Sequence, residues 1–239
     1  MVAEVNQPLV PITLFYLFCA IVSLTGNTIM IILFVKERNF HSPCHYMITF
    51  CCLADLMHLC GHFVFNYHVF ADVTDSQANC YWMLFFTSIG KCMANPLRLM
   101  TGVDSQIYCS VPSAFAGPTF SQFNTSGIFV NVALVIVYFF TYLQLRSYAG
   151  ASQMKVVFRS ILWTVILVII GWSSVTIANQ FAIFAKDAAT RKLISIYAGI
   201  GVNLACASNV FVFYTINTEY RHAIRRLFGL SSAQTIRLT

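Results

Sequence analysis

Four ionisable side chains lie within long apolar runs of this chain: Asp55, Lys91, Arg98 and Asp104. A charge at membrane depth is costly, so it turns toward the interior of a helix bundle and takes a partner or a function. Asp55, Lys91 and Arg98 could line the pathway of a small transporter or channel. Such folds tend to carry internal repeats and paired broken helices, and neither is visible here. His58, His62 and His68 sit near the end of a second apolar run. Two of them could share a metal ion, or all three could be interfacial polar residues. Nothing points to catalysis: there is no readable Ser-His-Asp order, no HExxH and no glycine loop to cradle a phosphate. No cofactor is expected.

Trp172 and its neighbours Phe181, Phe184 and Tyr197 suit an apolar ligand pocket or plain helix packing. The nine cysteines lie almost entirely inside apolar runs with no CxxC pair, and read as small membrane-helix residues. The tail TEYRHAIRRLFGL sets Tyr220, Ile224, Leu227 and Phe228 near helical spacing, with Arg221, Arg225 and Arg226 opposite. It reads as an amphipathic helix over 217–228 lying on an anionic leaflet.

The elements that must position these residues are membrane helices. The 239 residues are 58% hydrophobic and 9% charged, with a mean hydropathy of +0.73. A soluble domain carries about 25% charged residues to cover its surface, whereas a lipid-facing surface needs none. The net charge of +6 is spread in short clusters at the ends of apolar runs, the pattern of membrane topology and not of a nucleic-acid interface. The N-terminus lacks a basic leader, and its apolar run is too long for a signal-peptide core. Six runs reach the roughly 20 residues a crossing needs: 9–35, 43–65, 80–112, 127–145, 156–184 and 193–216. They form one all-α transmembrane domain over 1–239.

Charge and parity disagree over that count. Lys36 and Arg38, then Arg146, Lys155 and Arg159, then Arg221, Arg225 and Arg226 all ask to be cytoplasmic. Six crossings put the first loop and the 146–159 loop on opposite faces, and one further crossing between Pro112 and Gly127 would reconcile them. The segment there, about 21 Å long as a helix, is too short to span. The basic loop Lys186, Arg191, Lys192 is a counter-signal.

Several residues in order across the chain resemble the rhodopsin-like G-protein-coupled receptors, and within them the nematode serpentine chemoreceptors of the Srsx-like group. They are Asn27 in LTGN, Asp55 in LADL, Cys80 at the outer end of the third run, Asp104 opening DSQ, Pro112, Trp172 in IIGWSS and Asn209 in SNVFVFY. The resemblance implies a rhodopsin-like seven-helix bundle, here with about six spans because the family's fourth helix is missing, and it puts the gap at 113–126. It also implies that Cys80 lacks its disulfide partner, which the family's second outer loop supplies. Asn124-Thr-Ser is a glycosylation pattern expected outside. Ser105, Ser174 and Val210 depart from the family's usual arginine and two prolines.

By the same resemblance the protein is a plasma-membrane chemosensory receptor whose partners are a small molecule or peptide, a heterotrimeric G protein, surrounding lipid and a second receptor in a dimer. Lys91, Trp172 and Tyr197 would face the ligand, Lys91 as a cation for an anionic or carbonyl-bearing molecule or as a deactivated position. Asp104, Ser105, Arg146 and Lys155 would face the G protein. The family's second-helix acid binds a sodium ion with the seventh-helix asparagine. Here Arg98 could take that ion's place beside Asp55 and Asn209, or snorkel to an interface. A missing helix and a missing arginine make signalling defective in this form. The alternative is a non-signalling six-helix fragment or partner of full-length receptors.

Overall fold

A computed structural model describes residues 7–84, 106–110, 152–230 and scattered positions between 125 and 143. Helix α1 is Val10–Lys36, entered through a 3-10 turn at Gln7–Leu9 with a proline in its first turn, where no amide hydrogen is needed. Helix α2, Pro43–Phe70, starts the same way. It ends at a turn in which Asp72 adopts a left-handed conformation with φ 53°, one that aspartate tolerates better than most side chains. Next come strand β1 at Asp75–Ser76 and the short helix α3 at Gln77–Met83. Strand β2, Gln106–Ile107, pairs antiparallel with β1. Between 125 and 143 every described position is helical.

Helix α4, Ser152–Ala182, is followed by α5 at Ala188–Tyr197 and α6 at Ile200–Ile216. Asp187 caps α5 by accepting from the Thr190 amide at 2.6 Å. The backbone N–H of Thr190, and then its side chain, hold the Asp187 carboxyl below the usual carboxylate range. The expected span 193–216 is therefore two stacked helices with a turn at 198–199. Gly199 is needed there: a Cβ would collide with the Tyr16 hydroxyl, which donates to the Ile196 carbonyl. Helix α7, Thr218–Leu227, is capped by Asn217, whose side chain accepts from the Glu219 and Tyr220 amides. Gly229, with φ 67°, closes α7 by letting the Leu230 amide reach back to the Arg225 carbonyl at 2.8 Å.

α1 packs against both α2 and α6, and α6 packs against α4, giving the lateral order α2–α1–α6–α4. Three apolar clusters run along this row. One end gathers Leu9, Ile12, Tyr16, Phe65, Val69 and Ile196. The middle has Ala20, Leu59, Val202 and Cys206, with Trp172 and Val175 against them. The far end joins Met30, Leu33, Phe40, Ile48 and Phe213 to Tyr220 and Ile224 of α7. Phe18, Phe50, Phe181 and Phe211 stand exposed on the outside of these helices, as side chains meeting lipid do. The runs Val10–Lys36, His45–Phe70, Phe158–Ala182 and Ala188–Ile216 are each long and apolar enough to cross a bilayer.

The expected span 80–112 is corrected at both of its described ends. α3 stops at Met83, and β2 lies beside β1 in the loop after α2, so the two ends of that run meet on one side of the bundle.

Candidate functional site

The polar groups in the middle of the bundle form one connected set. Asn209 on α6 donates its amide to the Asp55 carboxylate on α2 at 2.6 Å and lies 3.2 Å from Asn27 Oδ1 on α1. Asn27 donates to Ser23 Oγ at 2.8 Å, and Ser23 donates to the Cys206 carbonyl at 3.0 Å. Three helices are thus fastened at one level by residues that an apolar environment obliges to pair. Asn27 and Asn209 are 1% and 3% exposed, so water cannot stand in for these partners. Among the described residues nothing donates to the buried Asn209 Oδ1.

One helical turn along α2, His58 packs against the Trp172 ring of α4 with centroids 6.1 Å apart. His62 lies 5.6 Å from His58 and 4.7 Å from Tyr16. The result is a line of four rings, Tyr16, His62, His58 and Trp172, crossing from α1 to α4 over the polar set. Tyr16, His58 and His62 were not singled out as ligand-facing in the sequence; the i, i+4 spacing of the two histidines was the available signal. His68 is separate, with Nδ1 2.9 Å from the Val73 carbonyl. Among the described residues no three His, Cys, Asp or Glu side chains gather as metal ligands. The Tyr197 hydroxyl donates to the Pro8 carbonyl at 2.8 Å and so fastens the N-terminal turn to α5.

Cys80 does have a partner, which corrects the expectation that it has none. It is bonded to Cys109. The same end is held by the β1–β2 pair and by the Tyr108 hydroxyl, which donates to Asp72 at 2.7 Å. Lys192, before α6, lies 5.9 Å from the Tyr108 ring centre. A disulfide belongs in an oxidising compartment, and this end also carries Asp72 and Asp75. The opposite end carries Lys36, Arg38, Arg221, Arg225 and Arg226, so the disulfide marks the outer face. At the inner end Tyr220 of α7 stacks on Phe40 with ring centres 4.4 Å apart, and Arg226 meets Glu37 at 3.2 Å. Burial pushes the Tyr220 phenol up.

Lys91, Arg98, Asp104, Ser105, Asn124 and Arg146 lie outside the described residues, and Lys155 lies in the first turn of α4 with its side chain outside them. Gln106, next after Ser105, pairs with Ser76 at the outer face.

A row of bilayer-length apolar helices, fastened at mid-depth by Asn27, Asp55 and Asn209 and closed on the inner side by an amphipathic helix, defines a multi-pass membrane protein of the helical receptor class. The family model described as serpentine type 7TM GPCR chemoreceptor Srsx matches residues 20–108 and 104–228. The chain therefore belongs to the Srsx family of nematode serpentine chemoreceptors. No match is found among curated proteins. The two matched stretches meet at 104–108, upstream of the 113–126 segment where the sequence reading put the gap.

Proposed function

We propose that this chemoreceptor works at the plasma membrane and takes a small molecule or peptide in the outer half of its bundle, against Trp172. The observation that carries this reading is the line Tyr16–His62–His58–Trp172. It joins three helices on the outer side of the polar set and offers ring faces together with imidazole nitrogens. Such a wall suits an aromatic or hydrogen-bonding ligand. Lys91 would add a cation for an anionic group, and Tyr197 would close the N-terminal side.

On this reading the inner partner is a heterotrimeric G protein, met by Arg146, Lys155 and the start of α4. A second reading is a non-signalling chain that assembles with complete receptors. The division of the family match into two stretches, 20–108 and 104–228, is what favours it.

The test is expression of the full chain with a G-protein activation reporter, challenged with a panel of volatile, acidic and peptide stimuli. The receptor reading expects at least one concentration-dependent response that Trp172→Ala removes without lowering surface abundance. A response identical in Trp172→Ala would overturn the assigned pocket. Silence of the chain alone, with suppression of a co-expressed complete Srsx receptor, would decide for the second reading.

A further inference from the structure

We infer that this chain crosses the membrane five times, having lost a consecutive pair of the family's seven crossings, so that every remaining segment keeps its proper side. The inference rests on family membership and on the outer-face cross-links, and not on the ligand reading above.

Leu84 follows α3 directly, and Cys80, inside α3, is bonded to Cys109. Gln106 and Ile107 pair with Asp75 and Ser76. The chain is therefore on the outer face at Leu84 and on the outer face again at Gln106. An even number of crossings separates two points on the same face. Residues 85–105 amount to about one crossing's length of helix, and two crossings with a turn need about twice that. Zero is the even number that fits.

Charge supports the same count independently. Dropping the expected crossing at 80–112 leaves the four described spans and the apolar run 127–145. Followed from an outer N-terminus, these put Lys36 and Arg38 inside, Asp72 and Asp75 outside, Arg146, Lys155 and Arg159 inside, and Arg221, Arg225 and Arg226 inside. Each basic cluster that six crossings set at odds now obeys the positive-inside bias. The conflict is resolved by removing one crossing, where the sequence reading sought to add one. Lys186, Arg191 and Lys192 stay outside on any such count.

The family match divides at the same place, one stretch covering 20–108 and a second covering 104–228. Loss of two consecutive crossings preserves the side of everything after it, whereas loss of one would invert α4, α6 and α7. The junction also brings the Cys109 segment to the outer face, where Cys80 can bond to it. Asn124 then falls on the outer side, the side on which its Asn-Thr-Ser triplet can be used.

Epitope tags placed singly at the N-terminus, after Gly117, after Gly150 and at the C-terminus of the full chain would test this in cells. Five crossings expect antibody access without permeabilisation for the first two and only after it for the last two. Because an inserted tag can block folding, impermeant thiol labelling of Ser113→Cys and Ser147→Cys is a second measurement, expected to label the first and spare the second on intact cells. Access to the 117 tag only after permeabilisation, or to the 150 tag on intact cells, would overturn the inference, as would labelling of Ser147→Cys alone. These outcomes do not depend on any ligand, so a receptor that answers no stimulus leaves them unchanged.

Discussion

Gly171 on α4 faces Gly201 on α6 across a backbone-to-backbone contact. A Cβ built on Gly171 lies 2.8 Å from the Gly201 carbonyl oxygen and 3.0 Å from both its carbon and the Val202 Cα. All three obstacles are backbone, so no side-chain rotation relieves them. Gly171→Ala must push the helices apart by about half an ångström or more, a gap that forfeits roughly a quarter of the attraction of every atom pair along the seam. Small residues let membrane helices approach this closely, and packing is much of what holds them together. Overpacking at such a point costs about 1–3 kcal/mol, which would lower an apparent Tm by about 4–8 °C at the middle of that range.

Gly201→Ala offers an internal contrast. The Cβ it introduces meets the Ser174 hydroxyl first, and the Gly171 backbone only at 3.3 Å and beyond. Ser174→Ala should therefore recover most of the loss in Gly201→Ala and almost none of that in Gly171→Ala. The assay is thermal unfolding of the detergent-solubilised full chain by thiol-reactive fluorescence. An unchanged Tm for Gly171→Ala, or its rescue by Ser174→Ala, would refute the backbone-contact argument.

Three other outcomes follow from the geometry. Asn209→Leu removes the donor to Asp55 and Asn27 and should destabilise by about 2–3 kcal/mol, while Asp55→Leu/Asn209→Leu should cost less than Asn209→Leu alone because no charge is stranded; equal losses in a melting series would contradict this. The Asp187 carboxyl is depressed in the folded chain, so its cap on α5 is fully present above the ordinary carboxylate range and is lost as pH falls through the folded value. Hydrogen exchange at Thr190 should accelerate on acidification beyond its intrinsic pH dependence, and the excess should vanish in Asp187→Ala. Glu37–Arg226 is an exposed pair with Arg226 63% exposed, so Arg226→Ala should shift stability by less than about 1 kcal/mol; a larger drop in Tm would give that contact a structural weight the geometry does not.

The apolar runs were legible because lipid imposes length and composition together, and α1, α2, α4 and α7 lie close to where those rules put them. Asn27, Asp55 and Asn209 were legible for a related reason: an amide or acid in such a run must find a partner, and few are available. The Cys80–Cys109 bond was not. Periodicity could not separate one long helix over 80–112 from two ends meeting, and disulfide connectivity is not deducible from spacing. The turn at 198–199 was hidden as well, because a glycine inside an apolar run looks the same in a straight helix as at a break. Only the approach of Tyr16 on α1 explains it, and that contact spans 180 positions of sequence.

Trp172 is adjacent to Gly171 on α4, so the candidate pocket and the Gly171–Gly201 contact occupy the same turn. α1, α2 and α6 are fastened together through Asn27, Asp55 and Asn209, whereas α4 meets α6 at the glycine-to-glycine contact. On the proposed reading a ligand pressing on Trp172 acts beside the Gly171–Gly201 contact. On the proposed reading the response is a shift of α4 along α6, with its far end at Lys155 and Arg159 on the inner face. That movement needs neither residue of the Asp104–Ser105 pair.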